Sequence, residues 1–237
     1  MAGHGKSRHM KRLAAPRAAK IPRKGIKWVK KPLAGAHRKS ESIAIGVLLR
    51  DVLHVAEDMP SAKKLANAGG ILVDGKAVRD TATPVGFMDA VSIPGSGKHY
   101  RILLAQGTLK PVEVTAQEAG VKLCKITDKK TVKKGRIQLC LHDGRSYLIE
   151  KEEDVFHAGD TIKLRVPGQK IDGFLRLEKG ATCYISHGKH SGETGVHQEM
   201  LEREGSRANE VALDAAGKKT ITLKNYVFVV EKGFKTK

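Results

Sequence analysis

The hydrophobic pattern divides the chain near residue 40. Before it, no apolar spacing is sustained at a helical or a strand period, and Pro16, Pro22 and Pro32 interrupt any long helix. Such a stretch, with few large apolar residues, is not expected to build a core. From Glu41 onward the pattern sharpens. Ile43, Val47, Leu48, Val52, Leu53 and Val55 predict a helix, with Ser40 or Ser42 placed to cap it. A shorter helix is predicted to open at Pro60 and Ser61, to carry Ala62, Lys63, Lys64, Leu65 and Ala66, and to stop at Gly69 and Gly70. Residues 71–73, the Asp74-Gly75 pair and residues 77–78 read as a β-hairpin, and residues 90–93 as a further strand after a turn at Met88-Asp89.

From Gly95 the runs become short, apolar or alternating, and bounded by turn residues: KHYRILL, LKPVEVT, KLCKITDKKTV, GRIQLCLHDGRSYLIE and DTIKLRV. This is the pattern of a small all-β barrel or sandwich. Thr115 and Glu118, three apart, have capping-box spacing for one helical turn. After Gly173, the segment FLRLEKGATCYISHGKHSGETGVHQEM is punctuated by Gly180, Gly188, Gly192 and Gly195. Strands are predicted over residues 209–213, 220–223 and 226–230, with a turn near Gly217. The expected fold class is α+β and multi-domain. Its parts are an extended arm over 1–40, a small α/β module over 41–94, a β domain over 95–172, and a β module with a loose basic tail over 173–237.

Charge turns this architecture towards a partner. The chain has 44 Lys and Arg against 25 Asp and Glu, a net charge of +19. Residues 1–40 hold 13 of those cations and no acid, so the remaining residues are only mildly basic. An acid-free run repels itself when compact, but along a polyanion each neutralised phosphate releases condensed counterions. The plain alternative is a solvated basic tail. The candidate phosphate contacts in the arm are Lys6, Arg8, Lys11, Arg12, Arg17, Lys20, Arg23, Lys24, Lys27, Lys30, Lys31, Arg38 and Lys39. His9, Trp28 and His37 are interleaved where they could stack on exposed bases. Outside the arm, Lys63, Lys64, Lys76 and Arg79 form a candidate shelf, Lys98, His99 and Arg101 a second group, and Lys189 and His190 a loop tip.

Other chemistries find little footing. No window of about 18 apolar residues spans a membrane, and the basic start has no apolar segment behind it, so no secretory signal is expected. Cys124, Cys140 and Cys183 are odd in number and far apart, which favours a reducing compartment. Cys183, His187, His190 and His197 are the one Cys/His set worth weighing for a metal, but they lack the tight pairs of structural zinc. GSGK lacks the spacing of a P-loop, and no HExxH or GxSxG occurs. No cofactor, metal, small-molecule substrate or enzymatic activity is expected.

Several segments carry a family resemblance. The stretch Ala62, Lys63, Lys64, Leu65, then Gly69, then Ile71 to the Asp74-Gly75 turn resembles the S4-like RNA-binding domain, in which a helix and hairpin form a basic shelf. It departs from that family where a Ser-Arg pair often opens the helix; here Asp58-Met59 stand. The glycine spacing around Lys189 and His190 resembles the KOW motif, whose glycines (here Gly188, Gly192 and Gly195) serve turns or close approach of RNA backbone. HMKRLAAPRAAKIPRK, PVGFMDAVSI, KHYRILL, VKLCKI and LKNYVFVV together make nearly the whole chain similar to the S-four-e family, small-subunit ribosomal proteins of archaea and eukaryotes. The short C-terminal end looks like the archaeal form. The resemblance implies a C-terminal SH3-like barrel and a structural role in the cytoplasmic small ribosomal subunit. The implied partners are small-subunit ribosomal RNA and neighbouring ribosomal proteins, with no catalysis. An RNA-modifying enzyme carrying an S4-like domain, or a transient transcription or translation factor using the KOW element, are the alternatives.

Overall fold

A computed structural model describes residues 9–203, 208–215 and 217–236. The chain is mostly β with few helices. In the arm, β1 (Met10–Lys11) pairs antiparallel with β2 (Trp28–Val29). Then β3 (Ser42–Ala44) leads into α1 (Ile45–Val47), a π turn over Leu48–Val52, and α2 (Met59–Asn67). The hairpin β4 (Leu72–Val73) and β5 (Lys76–Ala77) follows, then β6 (Pro84–Gly86), β7 (Ala90–Ile93), β8 (Lys98–Ala105) and β9 (Thr108–Val114). After α3 (Ala116–Ala119) come β10 (Val121–Thr131), β11 (Ile137–Leu141), β12 (Ser146–Ile149), β13 (Thr161–Arg165) and β14 (Lys170–Leu175). The last strands are β15 (Thr182–Ile185), β16 (Thr194–Leu201), β17 (Glu210–Ala215), β18 (Lys218–Leu223) and β19 (Val227–Val229).

Among the described residues these strands form three five-stranded antiparallel sheets, in the orders β5-β4-β7-β8-β9, β12-β11-β10-β13-β14 and β18-β17-β16-β15-β19. The first runs across Pro94, because β7 turns directly into β8 and pairs with it from Ala90↔Arg101 to Ile93↔Lys98. The junction expected at residue 94 therefore falls inside a sheet. The third sheet ends on β18 and β19, which do not pair with each other.

Local chemistry explains most element ends. Asp74 (φ 49°) and Gly75 (φ 73°) supply the two positive φ values of a tight hairpin turn. Thr115 and Glu118 form the reciprocal capping box that starts α3. Asp58 caps α2 by accepting from the Ser61 amide at 2.7 Å, with Pro60 in the first turn. The first helix is a correction. Ser42 and Ile43 are not its opening turn but part of β3, which pairs Ser42↔Gly86 through Ala44↔Pro84. The helix starts at Ile45, and Val55 lies beyond it, exposed.

The arm is the larger correction. Met10, Ala15, Ala18, Ala19, Ile21 and Val29 are buried and belong to one core with Ile43, Val47, Leu48, Val85 and Ile102. Small alanines and three larger apolar residues suffice because the arm lies on a finished surface and needs no core of its own. Burying Met10, Ile21 and Val29 contributes about 1.5–3 kcal/mol each. Tyr184, Phe228 and Val230 of the C-terminal strands join the same core, while β10 to β14 keep a separate one around Ile126, Leu139 and Ile162.

Candidate RNA-binding surface

The β1–β2 pair sorts the arm's side chains. Met10 and Val29 point into the core; Lys11 and Trp28, paired across the ladder, stay outside. Nine of the described arm cations are exposed: Lys11, Arg17, Lys20, Arg23, Lys24, Lys27, Lys30, Arg38 and Lys39. Lys30, Lys31, Arg38 and Lys39 line one groove, with Asp80 beside them. His9 and Trp28 are ring neighbours at 5.7 Å, and Lys27 Nζ stands 5.2 Å from the Trp28 ring centroid. Lys6 and Arg8 lie outside the described residues.

Three expected arm contacts are spent inside the protein. Arg12 is buried; its Nε donates to the Ile26 carbonyl at 3.1 Å and one terminal nitrogen to Pro22 at 3.2 Å, with Asp51 at 4.0 Å. Arg23, though exposed, donates to the Ala15 carbonyl at 2.6 Å and bridges back to Leu13. His37 Nε2 lies 2.9 Å from both oxygens of Asp89, its side chain 5% exposed. A guanidinium or imidazole is the natural brace where a loop crowded with cations leaves carbonyls unpaired.

The other candidates divide in the same way. Lys63 and Lys64 are exposed on α2, and Lys76 and Arg79 are exposed on and just after the hairpin. Lys98 is exposed, and His99 Nδ1 is 2.8 Å from Ser92 Oγ. Arg101 is buried and donates to the carbonyls of Glu118 and Val121, at 2.5 and 2.7 Å; burial lowers its pKa from the ordinary arginine value. It closes α3 onto β8 and is unavailable to phosphate. In the C-terminal loop, Gly188 has φ 88° and Lys189 is exposed, while His190 pairs with Glu193 at 3.3 Å. Gly192 (φ 101°) fits the turn role expected of these glycines, and both it and Gly195 are closely packed inside the protein. A Cβ on Gly192 would sit 2.8 Å from that of Ala105, and one on Gly195 would sit 2.9 Å from the Asp214 carbonyl oxygen. Both glycines permit contact within the protein, and Gly195 does so without a positive φ. Ser191 Oγ fixes the same loop to β8 by donating to the Leu104 carbonyl at 3.0 Å.

A buried charge cluster holds these surfaces in register. Lys122 Nζ, on β10 and fully buried, donates to Asp74 Oδ2 at 2.7 Å and Asp89 Oδ1 at 2.6 Å, and lies 3.1 Å from Asp143 Oδ2. Arg145 bridges Asp74 at 2.6 Å and Asp143 at 3.1 Å. The three carboxylates come from the turns at 74–75, 88–89 and 142–144, so the cluster ties the hairpin module to the central sheet, and His37 ties in the arm. Burial alone would pull the Lys122 ammonium down, but Asp89, Asp74 and Asp143 outweigh it and raise its pKa above the usual lysine range. Burial would likewise raise the Asp89 carboxyl; Lys122 and His37 instead hold it well below the usual range. Burial pushes the His142 imidazole down to about 4, so the ring is neutral at physiological pH. A second brace lies nearby: Lys125 Nζ donates to the carbonyls of Lys224, Asn225 and Val227 at 3.0, 3.1 and 2.7 Å, locking β10 to the C-terminal sheet. Burial, with Lys224 beside it, lowers Lys125 to about 8.

Comparison with known proteins settles the family. The chain matches the description "Ribosomal family S4e" over residues 96–171 and the RS4NT (NUC023) domain over residues 4–40. The protein named small ribosomal subunit protein eS4 in Methanocaldococcus jannaschii is 42% identical over 97% of this chain and 96% of its own length. The chain belongs to the ribosomal S4e family. The protein of the same name in Methanothermobacter thermautotrophicus is 40% identical over 95% of this chain and 93% of its own. The crystal structure of the 30S ribosomal protein S4e from Thermoplasma acidophilum shares the fold, with a TM-score of 0.69 and 30% identity, covering 80% of this chain and 95% of that one. These relatives are archaeal, which fits the archaeal form of the family.

The histidines of this S4e chain do not make a metal centre from the set weighed in the sequence. Cys183 donates to the Ala181 carbonyl at 3.6 Å, and burial pushes its thiol up to about 12; His187 sits against Ser186 and Tyr226, and His197 is buried on β16. Among the described residues, the group with ligand spacing is Cys124, His142 and Asp143. Burial drives the Cys124 thiol far above its usual range, and the Lys122 ammonium already lies against Asp143, so that corner carries its cation as part of the protein. The cluster around Lys122 was missed in the sequence. VKLCKI reads there as a strand, and nothing local marks its first lysine as the buried one.

Proposed function

We propose that this chain is a structural constituent of the small ribosomal subunit, working in the cytoplasmic ribosome, that binds and stabilises small-subunit ribosomal RNA without catalysis. Its parts are the basic arm over 1–40, an S4-like module that begins at 41 and whose sheet runs on through β8 and β9, a β domain built on β10 to β14, and a C-terminal SH3-like barrel with a KOW loop built on β15 to β19. The observation that carries this reading is the arm itself. Nine exposed cations stand on a segment without a single carboxylate, and its apolar residues pin it to a core. A pinned arm loses less conformational freedom on binding than a free tail, so more of its electrostatic attraction survives as affinity. Lys63 and Lys64 on α2, Lys76 and Arg79 by the hairpin, Lys98 at the start of β8 and Lys189 at the loop tip supply further phosphate contacts. Linked contacts raise one another's effective concentration, so modest modules add up to stable retention. The relatives' names place them in the small ribosomal subunit, which supplies both the RNA and the neighbouring proteins as partners.

The test is the salt dependence of binding to small-subunit ribosomal RNA. Replacing Lys11, Arg17, Lys20, Lys24, Lys27 and Lys30 by Gln is expected to reduce the slope of log affinity against log salt by about 4–5, from about 0.7–0.9 per phosphate. A slope unchanged within one unit would remove the arm from the RNA interface.

A further inference from the structure

Trp28 is the chain's one tryptophan, and it is 48% exposed beside the fully engaged Val29. Leaving the largest apolar side chain outside a core forfeits its burial, so an exposed tryptophan on a segment this well packed points to a partner. The ladder requires the exposure, since Trp28 shares the outer face with Lys11. Its ring opens on a groove lined by His9, Met10, Val29, Lys30, Arg50 and Met59. Two methionines and a valine make the floor; Lys30 and Arg50 stand at the rim, Arg50 already held by Asp51 at 2.7 Å. Among the described residues, no carboxylate lines the groove.

An aromatic face, an apolar slot and the exposed ammonium groups of Lys27 and Lys30 match a nucleobase flanked by phosphates. A paired duplex presents no free base face, and an acidic peptide offers nothing that needs the ring. We propose that Trp28 is the stacking platform for one unpaired base of an RNA. The base enters the groove beside Met59 and takes the place of the Lys27 ammonium over the ring, and Lys27 and Lys30 turn to the flanking phosphates. Lys27 is exposed, so moving its ammonium breaks no buried contact. This inference rests on the reading of the arm as an RNA-binding surface and adds what that surface selects: an extrahelical base.

The chain's single tryptophan makes the test direct. The full-length protein is titrated with a hairpin RNA closed by a non-nucleotide linker and carrying a one-nucleotide bulge, with the same linker-closed hairpin fully paired, and with heparin as a base-free polyanion, reading tryptophan fluorescence and affinity together. The bulged hairpin is expected to quench Trp28, with little change from the paired hairpin or heparin. Trp28→Leu is expected to weaken binding of the bulged hairpin by about 5- to 150-fold, the loss of one base–aromatic stack, and to leave the paired hairpin unaffected; Trp28→Phe should retain most of the affinity. A 2-aminopurine in the bulge reads the same stack from the RNA side with unaltered protein, which keeps the test valid if the leucine variant folds poorly. Equal quenching by all three polyanions, or salt-sensitive binding of the bulged hairpin without quenching of either fluorophore, overturns the stacking inference and leaves the RNA surface standing. Failure to bind any RNA at low salt overturns both.

Discussion

Replacing Lys122 by Met tests whether the buried cluster joins the modules. The ammonium is the shared cation of Asp74, Asp89 and Asp143 at 2.7, 2.6 and 3.1 Å, and its side chain is wholly buried. Methionine fills most of the same volume, so the change removes the charge with little cavity. Asp74 and Asp143 would keep Arg145, but Asp89 would keep only His37 and the Gly86 amide, which donates at 2.9 Å. Stranding a buried carboxylate in this way costs about 3–5 kcal/mol, which for a chain of this size lowers Tm by about 6–20 °C. The pH dependence carries the sharper signature. In the unaltered protein the folded-state pKa of Asp89 is depressed, so its contribution is present above the ordinary carboxylate range and is lost only as pH falls through the lower folded value. In the variant, burial without Lys122 raises that pKa instead, so the deficit is largest at neutral pH and shrinks as pH falls towards about 4. Burial of neutral His142 destabilises the unaltered protein between pH 6.5 and about 4, and because the Lys122 charge adds to that depression, its loss eases the penalty in the variant and also shrinks the deficit as pH falls. Urea unfolding at pH 7, 5.5 and 4 measures it. A loss below about 1 kcal/mol at pH 7, or a deficit that does not change with pH, would refute the reasoning.

Other perturbations separate packing from binding. Gly195→Ala, with its Cβ directed 2.9 Å from the Asp214 carbonyl, should lower the urea stability by about 1–3 kcal/mol; an unchanged midpoint would mean that β16 and β17 part easily. Deleting residues 1–40 should lower Tm as well as RNA affinity, because it strips Met10, Ile21, Val29 and His37 from their partners; an unchanged melt would show the arm to be a detachable tail. Reversing Lys63 and Lys64 to Glu should weaken ribosomal RNA binding and reduce the salt slope by about 1 per lysine, with no change in melting. Unaltered binding would mean that the α2 face no longer meets RNA in this chain.

What the sequence disclosed follows from the range of the interactions involved. The Asp74-Gly75 hairpin, the Thr115/Glu118 box and the stop at Gly69 are local, and each depends on residues within a few positions. The Asp58 cap is equally local, but Asp58-Met59 stood out in the sequence only as a departure from the family's Ser-Arg pair, and the cap went unassigned. β3 was not legible, because Ser42 and Ile43 owe their conformation to Pro84–Gly86, some forty residues away. The candidate cations were found by type, but type does not tell a solvated arginine from a bracing one. Arg12 and Arg101 have the same chemistry as Arg17 and differ only in which carbonyls the fold brings to them. Lys122 is the extreme case. Its burial needs three aspartates from three separate turns, and only the assembled modules bring those turns together.

The most direct test of the account is the release of the protein from small ribosomal subunits during a salt wash, comparing the unaltered chain with the variant in which Lys11, Arg17, Lys20, Lys24, Lys27 and Lys30 are Gln. Fractions from a sucrose gradient are quantified against other small-subunit proteins. The account predicts one copy of the unaltered chain per small subunit through the wash, with the variant lost at distinctly lower salt. Release of both at the same salt, or an unaltered chain that stays at the top of the gradient, would contradict it.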